Sequence, residues 1–381
     1  MSFSAAFAQV FRSIASNFAL ASIIVLAVIL YGFYYPAPYA HQTARQLPVV
    51  VVDEERTAVT RQLIRNLSDA REVRIAAEAP SVAAAEQLVR AREADGILLL
   101  PRGLTRSLLT GARGGGMGLW LNGTYLVRAR DIGGAIQSAA LAVGIQRLGP
   151  VAEGLHLHPP IEVVERPLFN TREGYADYIF PAVAAVILQQ TLLFGSAMLV
   201  AGRREARLPP MRTAEFFGTW CGLTLIGCFG AMLYFGWIYW FQDVPRAGNL
   251  PALLFAVPLF AAAVAALGML LGALFDRSDR ALHILIPTSI ILFFLAGAAW
   301  PLSAMPGWVA ALAHLSPATP GAQAFVRLNE MGASLREVAP LLAGLTLLAT
   351  LYGLAAYVRT TRTPSARPSP RPEPQPDSPR G

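Results

Sequence analysis

Few side chains in this sequence could do covalent or metal chemistry. His156 and His158 stand two apart in GLHLHPPIE, with Glu153 and Glu162 nearby. On a strand that spacing puts both imidazoles on one face, where they could bind a metal ion. The stretch is proline-rich, and ordinary loop histidines ahead of a linker are the simpler reading, so no metal site is assigned. Asp53, Glu54 and Glu55 follow a short apolar run and read as a solvated strand end rather than an acidic site. Gly111 to Gly118 (GARGGGMG) has the glycines of a phosphate loop without its lysine or following helix. It reads as a flexible loop that could touch a partner. Cys221 and Cys228 lie seven residues apart in an apolar run, which excludes a disulfide framework and reads as two buried small hydrophobes.

All 31 basic residues are arginine; the chain has no lysine. A P-loop needs lysine on the β/γ-phosphates, and Schiff-base chemistry needs a lysine amine. If ATP is used, another subunit must bind it.

The remaining polar candidates lie in apolar surroundings. Gln189 and Gln190 interrupt an apolar run, where unsatisfied amides are costly, so they face another helix or a cavity. Helix–helix adhesion and pathway lining fit them equally. Glu215 reads as a helix-start acid favoured by the dipole, and His283 as an interfacial residue. Gly268 and Gly272 form a G-x-x-x-G packing face, within or between subunits. No relay of carboxylates crosses the apolar runs, which argues against a proton-coupled carrier.

What positions these groups is a membrane protein. The 381 residues are 54% hydrophobic and 14% charged, where soluble domains carry about a quarter charged residues; mean hydropathy is +0.46. Six runs meet the requirement of about 20 apolar residues per crossing. They are 17–38, 178–201, 216–241, 250–275, 282–300 and 338–358, arranged one plus five. The first is too long for a signal-peptide core and is followed by a poor cleavage site, so it reads as an uncleaved anchor. Arg203, Arg204, Arg207 and Arg212 follow the second run, Arg277 and Arg280 the fourth, and five arginines the last. The positive-inside rule then places both termini in the cytoplasm and residues 39–177 outside. Trp237, Trp240, Trp300 and Trp308 fall near the outer ends, as an interfacial belt would.

Residues 1–16 carry Phe3, Phe7, Val10, Phe11 and Ile14 at helical spacing, an amphipathic segment on the cytoplasmic surface. The tail, 359–381, is proline-rich and reads as disordered. In 39–177, Pro48–Val52, Gly96–Leu100 and Leu119–Leu121 read as strands. Val59/Leu63/Leu67, Val82/Ala85/Val89, Leu104/Leu108 and Tyr125–Arg147 read as helices, with Glu86 and Arg90 as an i,i+4 pair. The alternation implies parallel βαβ units. With sixteen arginines against fifteen acids, the segment is no nucleic-acid surface.

Two blocks resemble a known family. In 168–201, Phe169–Asn170, Tyr178–Pro181 and Gln189–Gln190 are similar to the entry into the second span of ABC-2-type exporter permeases. Residues 297–320 (GAAWPLSAMPGWVAALAHLSPATP) resemble that family's aromatic-Pro crossing, carried here by Trp300, Pro301, Pro306 and Trp308. The one-plus-five plan with a large outer domain resembles the six-span branch. One departure is the first cytoplasmic loop, GRREARLPPMRTAEFFGT, broken by Pro209 and Pro210 where many members have Arg-Glu-Lys-Gly-Thr.

The resemblance implies an α-helical permease of a bacterial inner membrane, with an extracytoplasmic α/β domain between its first two spans. Two copies, identical or paralogous, would surround a path for amphiphilic or apolar substrates. A separate cytoplasmic ABC ATPase, holding ATP and Mg²⁺, would press on Arg203, Arg204, Glu205, Arg207 and Arg212. Trp300, Pro301, Pro306 and Trp308 would form an outer gate or interface, and a periplasmic adaptor and outer-membrane channel would dock on 39–177. No cofactor is expected on this chain. The alternative is a non-transporting receptor or assembly scaffold of the same fold, with an enzyme third.

Overall fold

The computed structural model describes residues 1–39, 45–106, 116–121, 130–143, 175–246, 248–297 and 299–362. The chain forms two compact units, Pro38–Ala176 and the remainder, Met1–Ala37 with Asp177–Gly381. His156, His158, Phe169, Asn170, Leu108, most of the glycine loop and the tail from 363 lie outside the described residues.

In the smaller unit, β1 (Leu47–Asp53), β2 (Val73–Glu78), β3 (Gly96–Leu100) and β4 (Gly118–Leu121) form one sheet in the order β2-β1-β3-β4. Helices α3 (Ala58–Asp69), α4 (Val82–Arg90) and α5 (residues 130–143) accompany it. Central β1 is apolar at nearly every position because both faces are covered. Val49 and Val51 join Leu63, Leu67 and Ile132 on one side, while Val50 and Val52 join Ala85 on the other. β1 is parallel to β2 and β3, but β4 runs antiparallel to β3, so the sheet is mixed. That last pairing departs from the all-parallel expectation. β2 is an added strand: its sequence VRIAAE lacks the continuous apolar run of β1, and only Val73 is buried.

Asp53 and Glu55 are not a solvated strand end. Asp53 Oδ1 accepts the backbone N–H of Glu55 (3.0 Å) and Arg56 (2.8 Å), and Oδ2 accepts the Thr60 hydroxyl (2.8 Å). Glu55 Oε2 accepts the Thr105 N–H (3.0 Å) and hydroxyl (2.8 Å). Asp53 stabilises the turn into α3 in an Asx-type role, and Glu55 ties that turn to Thr105.

The larger unit is helical. Among the described residues, six helices are long and apolar enough to cross a membrane. They are α2 (Phe18–Tyr39), α6 (Tyr175–Glu205), α7 (Thr213–Phe241), α8 (Leu250–Gly272), α9 (Ser278–Leu295) and α12 (Leu335–Thr361). α1 (Phe3–Ser16) precedes them, and α10 (Gly307–Ala313) and α11 (Ala318–Asn329) lie before α12. Caps define several starts: Asn17 accepts from Leu20 N (3.2 Å), Asn249 from Ala252 N (3.2 Å), and Ser334 with Glu337 forms a capping box. Helices therefore begin in polar turns that an apolar-run count omits. α9 begins at Ser278 rather than 282 and ends at Leu295, where Gly297 takes φ 82°, so Trp300 lies beyond it.

Small residues permit close packing. A Cβ on Gly268 would fall 2.6 Å from Ser196 Cβ, and one on Gly272 2.5 Å from the Ala197 carbonyl oxygen. The G-x-x-x-G face of α8 thus packs on α6 of the same chain. Likewise α1 buries Ala6, Val10 and Ile14, with Ala6 and Val10 facing Gly218 and Gly222 of α7. Phe3, Phe7 and Phe11 stack along its flank, with centroids 6.4 and 5.3 Å apart, rather than forming the buried stripe.

Cys221 is exposed and Cys228 half-buried, which corrects the expectation of buried small hydrophobes. An apolar helix in lipid is apolar on its outward face too, so hydrophobicity does not separate core from surface there.

Candidate functional site

The loop between α6 and α7 is tied to four helices. Arg203 Nη1 lies 2.9 Å from Glu215 Oε1, and Glu215 is buried. The Arg203 Nη2 also reaches the Pro209 carbonyl at 3.4 Å. Arg204 donates to the Ala273 carbonyl just past α8. Glu205 accepts both the N–H (3.1 Å) and hydroxyl (3.0 Å) of Ser278, the first residue of α9. Met211 N–H donates to the Thr360 carbonyl of α12 at 3.0 Å, and Thr213 Oγ1 lies 2.9 Å from Tyr357 Oη.

The five loop residues singled out by sequence thus divide. Arg203, Arg204 and Glu205 are bonded inward; Arg207 and Arg212 are exposed, and their guanidiniums meet no partner among the described residues. Arg207 adopts φ 53°, and its N–H bonds the Arg204 carbonyl, closing the helix end. Glu215 is more than a helix-start acid. The signal available in the sequence was opposite charge at the two ends of a Pro-Pro turn, but only the folded turn brings Arg203 and Glu215 together.

The glutamine pair divides as well. Gln189 is fully buried; its Oε1 accepts the Ala318 N–H (2.6 Å) and its amide exchanges hydrogen bonds with Ser316 Oγ at 3.1 Å. It holds the turn into α11 against α6. Gln190, one residue on and 100° around the helix, is also buried, yet neither amide atom finds a partner among the described residues. A buried, unbonded primary amide is costly, and such groups mark places that another molecule or a second conformation satisfies.

Trp300, Pro301 and Pro306 belong to the connection from α9 to α10, and Trp308 to the first turn of α10. Trp300 is 57% exposed and donates Nε1–H to the Ala304 carbonyl at 3.4 Å; Trp308 is 70% exposed. Pro301 opens a 3₁₀ turn at Leu302–Ala304, and the Pro306 carbonyl accepts from Val309 and Ala310 to start α10.

A family model described as ABC-2 family transporter protein matches residues 18–358, which includes all of these positions. The chain belongs to the ABC-2 transporter family. No curated protein matches it significantly.

ABC-2 permeases are membrane transport subunits that normally work with a separate ATPase. In this ABC-2 chain, no group of His, Cys, Asp or Glu side chains among the described residues is arranged to hold a metal ion. One further polar feature of this permease escaped the sequence reading. Glu330, at the end of α11, has Oε1 buried without a hydrogen-bond partner among the described residues, and Asn329 beside it is buried too. Burial, reinforced by the negative charge of Asp177, pushes the Glu330 carboxyl up to about 9. Its surroundings, not its sequence neighbours, set that value.

Proposed function

We propose that this ABC-2 chain is the permease subunit of an exporter that moves amphiphilic or apolar substrates out of the cytoplasm or inner leaflet. ATP and Mg²⁺ act on a separate cytoplasmic ABC ATPase. Two permease chains, identical or paralogous, work together in a bacterial inner membrane with both termini cytoplasmic. Residues 39–177 form the extracytoplasmic surface on which an adaptor and outer-membrane channel dock.

The observation that carries this reading is the loop geometry. Arg207 and Arg212 are exposed and without a side-chain partner among the described residues, while their neighbours are bonded to α7, α8, α9 and α12. A partner that displaces the loop must therefore displace helix ends, which is what conversion of ATP-driven closure into an altered path requires. Gln190, buried without a partner among the described residues, is assigned to the path, and Gln189 to helix adhesion. Trp300, Pro301, Pro306 and Trp308 form the outer gate.

Co-purification with a co-expressed cytoplasmic ABC ATPase tests the coupling assignment. Arg207→Glu with Arg212→Glu should lower ATP turnover in the complex by about tenfold or more, since like-charge contact at an interface costs several kcal/mol. Unchanged turnover and unchanged efflux would remove these residues from the coupling surface.

A further inference from the structure

A recess of about 450 Å³ opens where α6, α8 and α12 end, within the about 300–1,000 Å³ range of ligand sites. Four arginines line it, Arg203, Arg204, Arg359 and Arg362, and no acidic residue does. Arg203 is neutralised by Glu215, and Arg204 gives one N–H to the Ala273 carbonyl. The guanidiniums of Arg359 and Arg362 meet no partner among the described residues. Three arginines with no counter-charge among the described residues therefore line one recess. Like charges gathered this way repel one another unless an anion sits among them.

Val200, Ala273 and Val358 add apolar lining. Each lies at or beside the last apolar turn of its helix, and in a bilayer the ends of apolar runs are where hydrocarbon gives way to headgroups. Arginines beside apolar lining at such helix ends match a ligand with a phosphate at one end and a glyceride root at the other. Arginine forks bind phosphate oxygens in bidentate fashion, and basic recesses between membrane helices recognise anionic headgroups. Arg203, Arg204 and residues 208–211 of the coupling loop line the recess, whereas Arg207 and Arg212, the two exposed arginines assigned to the ATPase, do not.

We propose that this recess is a binding site for the phosphate headgroup of an anionic membrane lipid, held chiefly by Arg359 and Arg362 with Arg204 in support. Occupancy would hold the end of α12 against α6 and the loop. The assignment does not depend on what the permease transports.

The test uses the purified full-length chain in detergent, with bound lipid counted by native mass spectrometry after addition of dioleoyl phosphatidylglycerol, dioleoyl phosphatidylcholine or inorganic phosphate. Phosphatidylglycerol should be retained and phosphatidylcholine lost. Arg359→Gln with Arg362→Gln should weaken retention about thirtyfold, the product of two surface charges at about 1 kcal/mol each. Arg359→Lys with Arg362→Lys should keep most of it, and Arg327→Gln with Arg336→Gln, elsewhere on the chain, all of it. Equal retention of phosphatidylcholine, or a Gln pair that holds phosphatidylglycerol like the parent, overturns the proposal. Displacement of the lipid by equimolar inorganic phosphate would make it a soluble-phosphate site and overturn the lipid assignment. A Gln pair that keeps lipid but loses the ATPase subunit would make it a protein contact, which overturns it equally.

Discussion

The two units of this chain obey opposite rules of burial. In the α/β unit, the valines of β1 and the faces of α3 and α4 are hidden, while Glu86 and Arg90 are exposed. In the helical unit, Ile290, Ile291, Phe294 and Leu354 face outward, whereas Gln189, Gln190, Thr191, Ser196 and Glu215 are buried. A surface in lipid gains nothing from hiding apolar groups, so the helical unit coheres through small-residue packing and buried polar contacts. The central helix makes the point: 89% of the apolar window of α6 is buried, against 11% for α9, although both are apolar. Interior polarity, not hydrophobicity, distinguishes the buried helix.

The sharpest way to break this comparison is to enlarge one glycine in each unit. Gly272→Leu drives a side chain into the Ala197 backbone and should cost at least about 3 kcal/mol, read as loss of monodisperse protein. Gly134→Ala, in α5 with nothing within 4 Å, should be neutral or stabilise by about 0.5–1 kcal/mol in thermal melts. Next comes the glutamine pair. Gln189→Leu strands Ser316 and the Ala318 N–H and should destabilise by about 2–3 kcal/mol. Gln190→Leu removes an unbonded amide, so it should leave the melting temperature unchanged or raised while reducing efflux. If both variants melt alike, the two amides do not differ in role.

A pH-dependent effect is expected at Glu330. Its folded carboxyl, up to about 9 from an ordinary 4.5, keeps its proton where the unfolded chain has lost it. Its contribution therefore becomes increasingly destabilising as pH rises from about 4.5 to about 9, and is constant above. Glu330→Gln should melt like the parent at pH 4 and above it at pH 9. The smallest change is Glu86→Ala, which removes an exposed 3.7 Å pair with Arg90 and should cost less than about 0.5 kcal/mol.

Much of this was legible in the sequence because it rests on local composition. Apolar length located six helices, and the buried valine run located β1. What escaped depends on distant partners. β2 is a strand because it lies beside β1, and β4 takes its place through its pairing with β3. The roles of Gln189 and Gln190 diverge because Ser316, 127 residues from Gln189, arrives beside one and not the other. Cys221 and Cys228 misled because an apolar run is apolar toward lipid and core alike.

We propose that this ABC-2 chain moves amphiphilic substrate using another subunit's ATP. Proteoliposomes holding the chain with a co-purified ABC ATPase test it most directly, by following an apolar fluorescent substrate across the bilayer. Movement should require ATP, Mg²⁺ and both subunits, and should fall with Arg207→Glu and Arg212→Glu together. Movement by the chain alone, or no ATP-dependent movement despite an intact ATPase complex, would contradict it.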